Sequence, residues 1–174
     1  MFSVLKRWLG QDDAAGGAHA PRPDAVTRRP LNEFRPELID SLQVEHRQLL
    51  ALFTDLERAS EQNDESACRF ALDRFTRLLQ EHLLTENRHL YGWFARNPAN
   101  DPDVARRVDS MSADMMHVGK ILHRFITAYS RTTWTADSPA QLKRDIRVIG
   151  EVLAHRIHEE EKILYPLYAR HSAN

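Results

Sequence analysis

The stretch FTRLLQEHLLTENRHLYGW, residues 75–93, carries Phe75, Leu79, His82, Glu86, His89 and Trp93 at alternating spacings of three and four. An α-helix turns about 100° per residue, so these side chains share one stripe. The stripe is apolar except for its histidines and Glu86. It reads as the buried face of a long helix with a histidine and a carboxylate, His82 and Glu86, one turn apart inside.

The same periodicity runs on either side of it. Apolar residues recur at helical spacing over about 37–60, 64–96, 102–131 and 139–169. Pro36 suits a first helical turn, and Asp101-Pro102 and Ser138-Pro139 each read as an N-cap followed by proline at the first helical position. Asn97-Pro98 ends the second segment. No segment has the pattern of a strand. Long helices with short connections favour antiparallel neighbours, so the expected architecture is all-α, an up-down-up-down four-helix bundle. The bundle is expected over 35–170. Ahead of it, 11–34 holds Gly16, Gly17, Pro21, Pro23 and Pro30 without periodicity and reads as a flexible linker. Residues 1–10 form a short amphipathic segment in which Phe2, Leu5, Trp8 and Leu9 can share a face beside Lys6 and Arg7, capable at most of weak contact with a membrane surface.

Composition narrows the function. At 174 residues and 42% hydrophobic the chain can build one real core. A net charge of −1 gives no general pull toward nucleic acid, which is not an expected partner. No apolar run approaches the roughly 20 residues of a membrane span. The single cysteine, Cys68, allows no internal disulfide, lies in an apolar helical pattern as a small buried residue, and fits a reducing, cytoplasmic setting. Phosphate loops, zinc-protease motifs and nucleophile elbows are missing, so a binding or regulatory protein is expected in preference to an enzyme.

The other faces sort the same way. The first helix presents Ile39, Leu42, His46, Leu50 and Phe53. The third carries a seam of Val104, Val108, Met111, Met115, Val118, Leu122, Phe125 and Tyr129, with His117 and His123 on its flanks. The fourth presents Ile146, Ile149, Leu153, Arg156, Glu160, Ile163 and Leu167, with His155 rotated about 100° from Arg156. Glu159 and Glu161 read as solvated neighbours of the inward Glu160. Inward His46, His82 and Glu86 from facing helices are the raw material of a metal site in a bundle.

On EHRQLL at 45–50 and HLLTENRHLY at 82–91, the chain resembles the hemerythrin-like, or HHE cation-binding, family. The resemblance covers most of 37–169 and implies a four-helix bundle whose inward histidines and carboxylates hold iron, commonly a pair, for oxygen binding, sensing, or iron and nitric oxide chemistry. The second half departs from that pattern. Met115 stands where the family offers a histidine. RIHEEEKILY at 156–165 is a near repeat of 82–91, and superposing the two Leu-Tyr pairs aligns Glu86 with Glu160 but His82 with Arg156.

A divalent ion about 4 Å from a guanidinium feels roughly 8 kcal/mol of repulsion at an effective dielectric of about 20. That offsets much of the roughly 10–16 kcal/mol apparent for a good structural zinc site. Two readings follow. In the first, His46, His82 and Glu86 hold iron in a full or partial, even mononuclear, site of a sensory or regulatory protein, joined by His155 and Glu160 where a π-bulge turns His155 inward. In the second, the metal is replaced by a buried polar network of Arg156 with Met115 and His89 alongside, the guanidinium bridging Glu86 and Glu160, and the bundle acts by binding a protein. Short stretches at 37–50, 125–129 and 149–161 resemble the regulator of sigma D family, which implies a sigma factor as that partner.

Overall fold

The computed structural model describes residues 34–130 and 133–170. Residues 1–10 and the linker expected at 11–34, Phe34 excepted, lie outside them. Four helical rods make up the described residues. The first is α1, Leu38–Glu61. The second begins as α2, Glu65–Thr85, passes through a π-helical turn at Glu86–Tyr91 and ends as α3, Gly92–Arg96. The third is α4, Pro102–Ser130. The fourth begins as α5, Ser138–Glu159, passes through a second π-helical turn at Glu160–Leu164 and ends as α6, Tyr165–Arg170.

The helix ends follow local chemistry. Asp64 caps α2 by accepting the Ala67 N–H at 2.9 Å, and Asp101 accepts the Asp103 N–H at 2.8 Å where α4 begins. Asn63, at φ 54°, takes the left-handed conformation that asparagine tolerates and turns the chain between α1 and α2. Ser138 departs from its expected capping role, because its hydroxyl turns back to accept the Thr135 N–H at 2.8 Å.

Cross-bundle contacts fix the topology. Glu45 meets His82, while Phe53 meets Phe75, so the first two rods are antiparallel. Arg69 reaches the carbonyls of Tyr129 and Ser130, Tyr129 meets Asp145, and Arg156 meets Met111, so the direction alternates around the ring. The result is an up-down-up-down bundle with no strand among the described residues. Among those residues no helix is long and apolar enough to cross a membrane.

The core comes in two apolar blocks. One is built on Phe53, Leu56, Phe75, Leu79, Leu122, Phe125, Ile146 and Ile149. The other is built on Leu38, Leu42, Leu90, Trp93, Val108, Leu164 and Tyr168. On the first, second and fourth rods these polar inward residues fall between the two blocks, so His46, His82, Glu86, Arg156 and Glu160 form a buried layer at mid-height. The outer block also anchors the chain's entry into the bundle. Phe34 stacks on Tyr168 at 4.8 Å, and the Arg35 N–H donates to the Tyr168 hydroxyl at 2.9 Å.

Helical sorting holds along most of each rod and fails at identifiable places. Leu49, not Leu50, is buried in α1. Beyond Glu86 and Glu160 the buried positions become Leu90 with Tyr91, and Leu164 with Tyr165, leaving His89, Ile163 and Leu167 only half-buried. A π turn, closed by i→i+5 hydrogen bonds, absorbs one extra residue and shifts everything after it.

Two phenylalanines in α2 test this layering. Phe75 is 0% exposed and Phe70 is 65% exposed. Phe75→Ala is expected to lower unfolding free energy by about 3–5 kcal/mol, and Phe70→Ala to change it by no more than about 0.5 kcal/mol. Urea unfolding of the two variants checks both values.

Candidate metal centre

The polar layer has two unlike halves. In one, four donors converge: His46, His82, Glu86 and Glu160 each offer an atom, and these atoms lie within 4.8 Å of one another. All four residues are buried. His46 Nε2 is 3.2 Å from Glu160 Oε2, and His82 Nε2 is 3.6 Å from Glu86 Oε2. The imidazoles themselves are 4.8 Å apart, centre to centre.

Each histidine is aimed by a carboxylate behind it. His46 Nδ1 is 2.9 Å from Glu161 Oε1, and His82 Nδ1 is 2.9 Å from Glu45 Oε2. A carboxylate on Nδ1 fixes the ring and directs the Nε2 lone pair inward, the support that metal-ligating histidines use. Helical sorting does not find either carboxylate: it places Glu161 with the solvated neighbours of Glu160 and gives Glu45, adjacent to His46, no role. Only the cross-helix contacts reveal them.

Tyr165 completes this half. Its hydroxyl donates to Glu86 Oε1 at 3.1 Å, its oxygen is 3.3 Å from His46 Nε2, and its ring stacks on that imidazole at 5.6 Å. Glu86 Oε2 has no hydrogen-bond partner. A carboxylate oxygen left bare at the convergence of lone-pair donors requires a proton or a cation, so these residues fit a metal ion.

The other half is filled by Arg156. Its Nε–H donates to Glu160 Oε1, an Nη–H donates to the Tyr91 hydroxyl, and another donates to the Met111 carbonyl at 3.2 Å. The guanidinium also lies over the Tyr91 ring, 5.9 Å from its centre. It does not bridge Glu86 and Glu160 as the sequence led us to expect. Tyr91, five residues beyond Glu86, is brought onto the site face by the π turn and takes the place expected of Glu86.

Three sequence-derived assignments change. His155 is exposed, because α5 stays regular through Glu159 and the π turn begins only at Glu160. Met115 belongs to the apolar packing of both blocks, and the methionine that touches Arg156 is Met111, through its backbone. His89 sits half-buried within the first π turn, and burial with nearby Arg35 and Arg88 lowers its pKa.

The electrostatics follow from this placement. Burial, then the facing Glu160 carboxylate, push Glu86 up to about 7, against the opposing pull of His82, Arg156 and His46. Burial would lower His82, but Glu86, Glu45 and Glu160 outweigh it and the net shift is upward. Burial likewise opposes the charge on Arg156, and Glu160, followed by Tyr91 and Glu86, more than restores it. Arg156 is therefore a permanent buried cation.

A family model described as the hemerythrin HHE cation-binding domain matches residues 37–168, and the chain belongs to that family. No curated protein and no solved structure matches the chain. The shorter likeness to the regulator of sigma D family finds no support in these comparisons.

Two outcomes test the geometry. Arg156→Ala leaves the Glu160 carboxylate buried without its partner, and a loss of about 3–5 kcal/mol in unfolding free energy is expected. A loss below about 1 kcal/mol, as for exposed pairs, would mean the guanidinium is solvated. The second outcome concerns pH. Glu86 and His82 both have folded values above their ordinary 4.5 and 6.5, so the folded chain binds protons more tightly than the unfolded one. Their contribution to stability is complete below about pH 4.5 and is lost as pH rises through the folded values. Chelator-treated protein should therefore melt at a lower temperature near pH 8 than near pH 5, and a thermal scan showing the reverse order would contradict the assignment.

Proposed function

We propose that this member of the hemerythrin HHE cation-binding family holds one iron ion per chain and acts as a sensory or regulatory binder of small ligands. His46 and His82 through Nε2, with Glu86 and Glu160 through their Oε2 atoms, are the residues that would hold it. The observation that carries this reading is the bare Glu86 Oε2 among three other converging donors. Two imidazoles with two carboxylates form a mixed nitrogen and oxygen set suited to iron. Bound iron would supply a Lewis-acidic, redox-active centre for a small ligand.

The remaining residues prepare the site. Glu161 and Glu45 hold the two imidazoles in the tautomer that presents Nε2 inward. Arg156 occupies Glu160 Oε1, so that carboxylate turns only Oε2 toward His46. The histidines of α4 and α5 are all exposed, none pointing into the second half of the layer, and a guanidinium pinned by Glu160, Tyr91 and the Met111 carbonyl stands where a second cation would go. The charges support a count of one: Arg156 already offsets part of the negative charge of the two inward carboxylates that would hold the metal. One buried thiol, Cys68, with its pKa raised by burial to about 11, suits a reducing cytoplasmic setting.

Elemental analysis after iron-replete expression tests the proposal. Iron at about one equivalent per chain is expected, falling by about tenfold or more in His82→Ala and unchanged in His155→Ala. No iron, or two equivalents, in the unaltered protein would overturn it.

A further inference from the structure

Tyr165 is a polar group that the four-donor set leaves out. It is buried, yet its hydroxyl oxygen stands 3.1 Å from Glu86 Oε1 and 3.3 Å from His46 Nε2. The separation from the His46 donor atom falls inside the 4.8 Å that the four donor atoms keep among themselves, and the Glu86 contact is to the other oxygen of a donor carboxylate. In a regular helix a residue five positions after Glu160 would lie about 140° away from it. The π turn at Glu160–Leu164 cancels most of that rotation and delivers Tyr165 to the face Glu160 occupies.

The internal near repeat gives a second, independent argument. Aligned on their Leu-Tyr pairs, Tyr91 corresponds to Tyr165 and Glu86 to Glu160, and each glutamate opens a π turn that ends at or just before its tyrosine. In the Arg156 half, the tyrosine oxygen already serves a cation: the Tyr91 hydroxyl accepts from the guanidinium, together with Glu160 and the Met111 carbonyl. Tyr165, the tyrosine of the other repeat, stands beside the four converging donors, with its hydroxyl donating to Glu86 Oε1 at 3.1 Å.

We infer that the hydroxyl oxygen of Tyr165 is a fifth donor to the cation held by His46, His82, Glu86 and Glu160, and that it biases the site toward a hard, ferric ion. This inference rests on the iron reading above. On ligation the cation replaces the hydroxyl proton, which passes to bulk buffer; no electron moves and no other bond is made or broken. An anionic oxygen donor added to two carboxylates favours the higher iron charge.

The experiment uses the full chain loaded with ferric iron, with metal content and visible absorption measured on the same samples. A phenolate-to-iron charge-transfer band is expected. It should be present in Tyr91→Phe and lost in Tyr165→Phe, the latter also binding ferric iron at least about tenfold more weakly. Zinc-loaded protein gives a second readout, since the ultraviolet difference spectrum of one ionised tyrosine should form on loading and be missing in Tyr165→Phe. Full iron occupancy without the band would remove Tyr165 from the ligand set while leaving the cation site intact. A band that survives in Tyr165→Phe would assign it to another group and overturn the inference. Failure to bind either metal would overturn both the inference and the cation reading.

Discussion

A permanent positive charge is buried at the centre of this bundle, and the arrangement of the polar layer follows from it. Moving a guanidinium out of water costs several kcal/mol even after relaxation, so it persists only where acceptors surround it. Here they are Glu160, the Tyr91 hydroxyl and the Met111 carbonyl, drawn from the fourth, second and third rods. Arg156 thereby ties three of the four rods together at mid-height. The first rod is tied in through His46, which meets Glu160 and Glu161. Glu160 touches both sides, with one oxygen on Arg156 and the other facing His46. The unlike halves are thus coupled through one carboxylate.

The two π turns are the backbone counterpart of this arrangement. Each begins at an inward glutamate, and the first ends at, the second just before, a tyrosine that reaches across the layer. Such turns have poorer hydrogen-bond geometry than an α-helix and recur at functional sites. In this chain they place Glu86 with Tyr91, and Glu160 with Tyr165, on shared faces while returning Leu90 and Leu164 to the apolar block beyond. Without the extra residue the outer block and the polar layer could not both be satisfied by one helix register.

How much of this was legible in the sequence depends on the level. A rotation of 100° per residue was enough to identify the four rods, the inward positions of His46, His82, Glu86, Arg156 and Glu160, and the outward-facing His117 and His123. It failed where the rotation changes, misplacing His89, Ile163 and Leu167, and the π turn of the fourth rod begins at Glu160, leaving His155 outside. It also failed where a residue's role depends on another rod. Glu45 and Glu161 look like surface carboxylates until the imidazoles they support are seen, and Met111 acts through a carbonyl that no residue identity reveals. The tyrosines had a signal in plain view, since the near repeat keeps Leu-Tyr while exchanging histidine for arginine. Family membership gives a cation-binding bundle, whereas the number of ions and their identity depend on what Arg156 does.

Anomalous X-ray diffraction from crystals of the iron-loaded chain, recorded on both sides of the iron absorption edge, addresses that point most directly. The account requires one anomalous scatterer per chain, bounded by His46, His82, Glu86 and Glu160, with Arg156 still bonded to Tyr91 and the Met111 carbonyl. Two scatterers, or one scatterer in the volume of a guanidinium that has swung out to water, would contradict it.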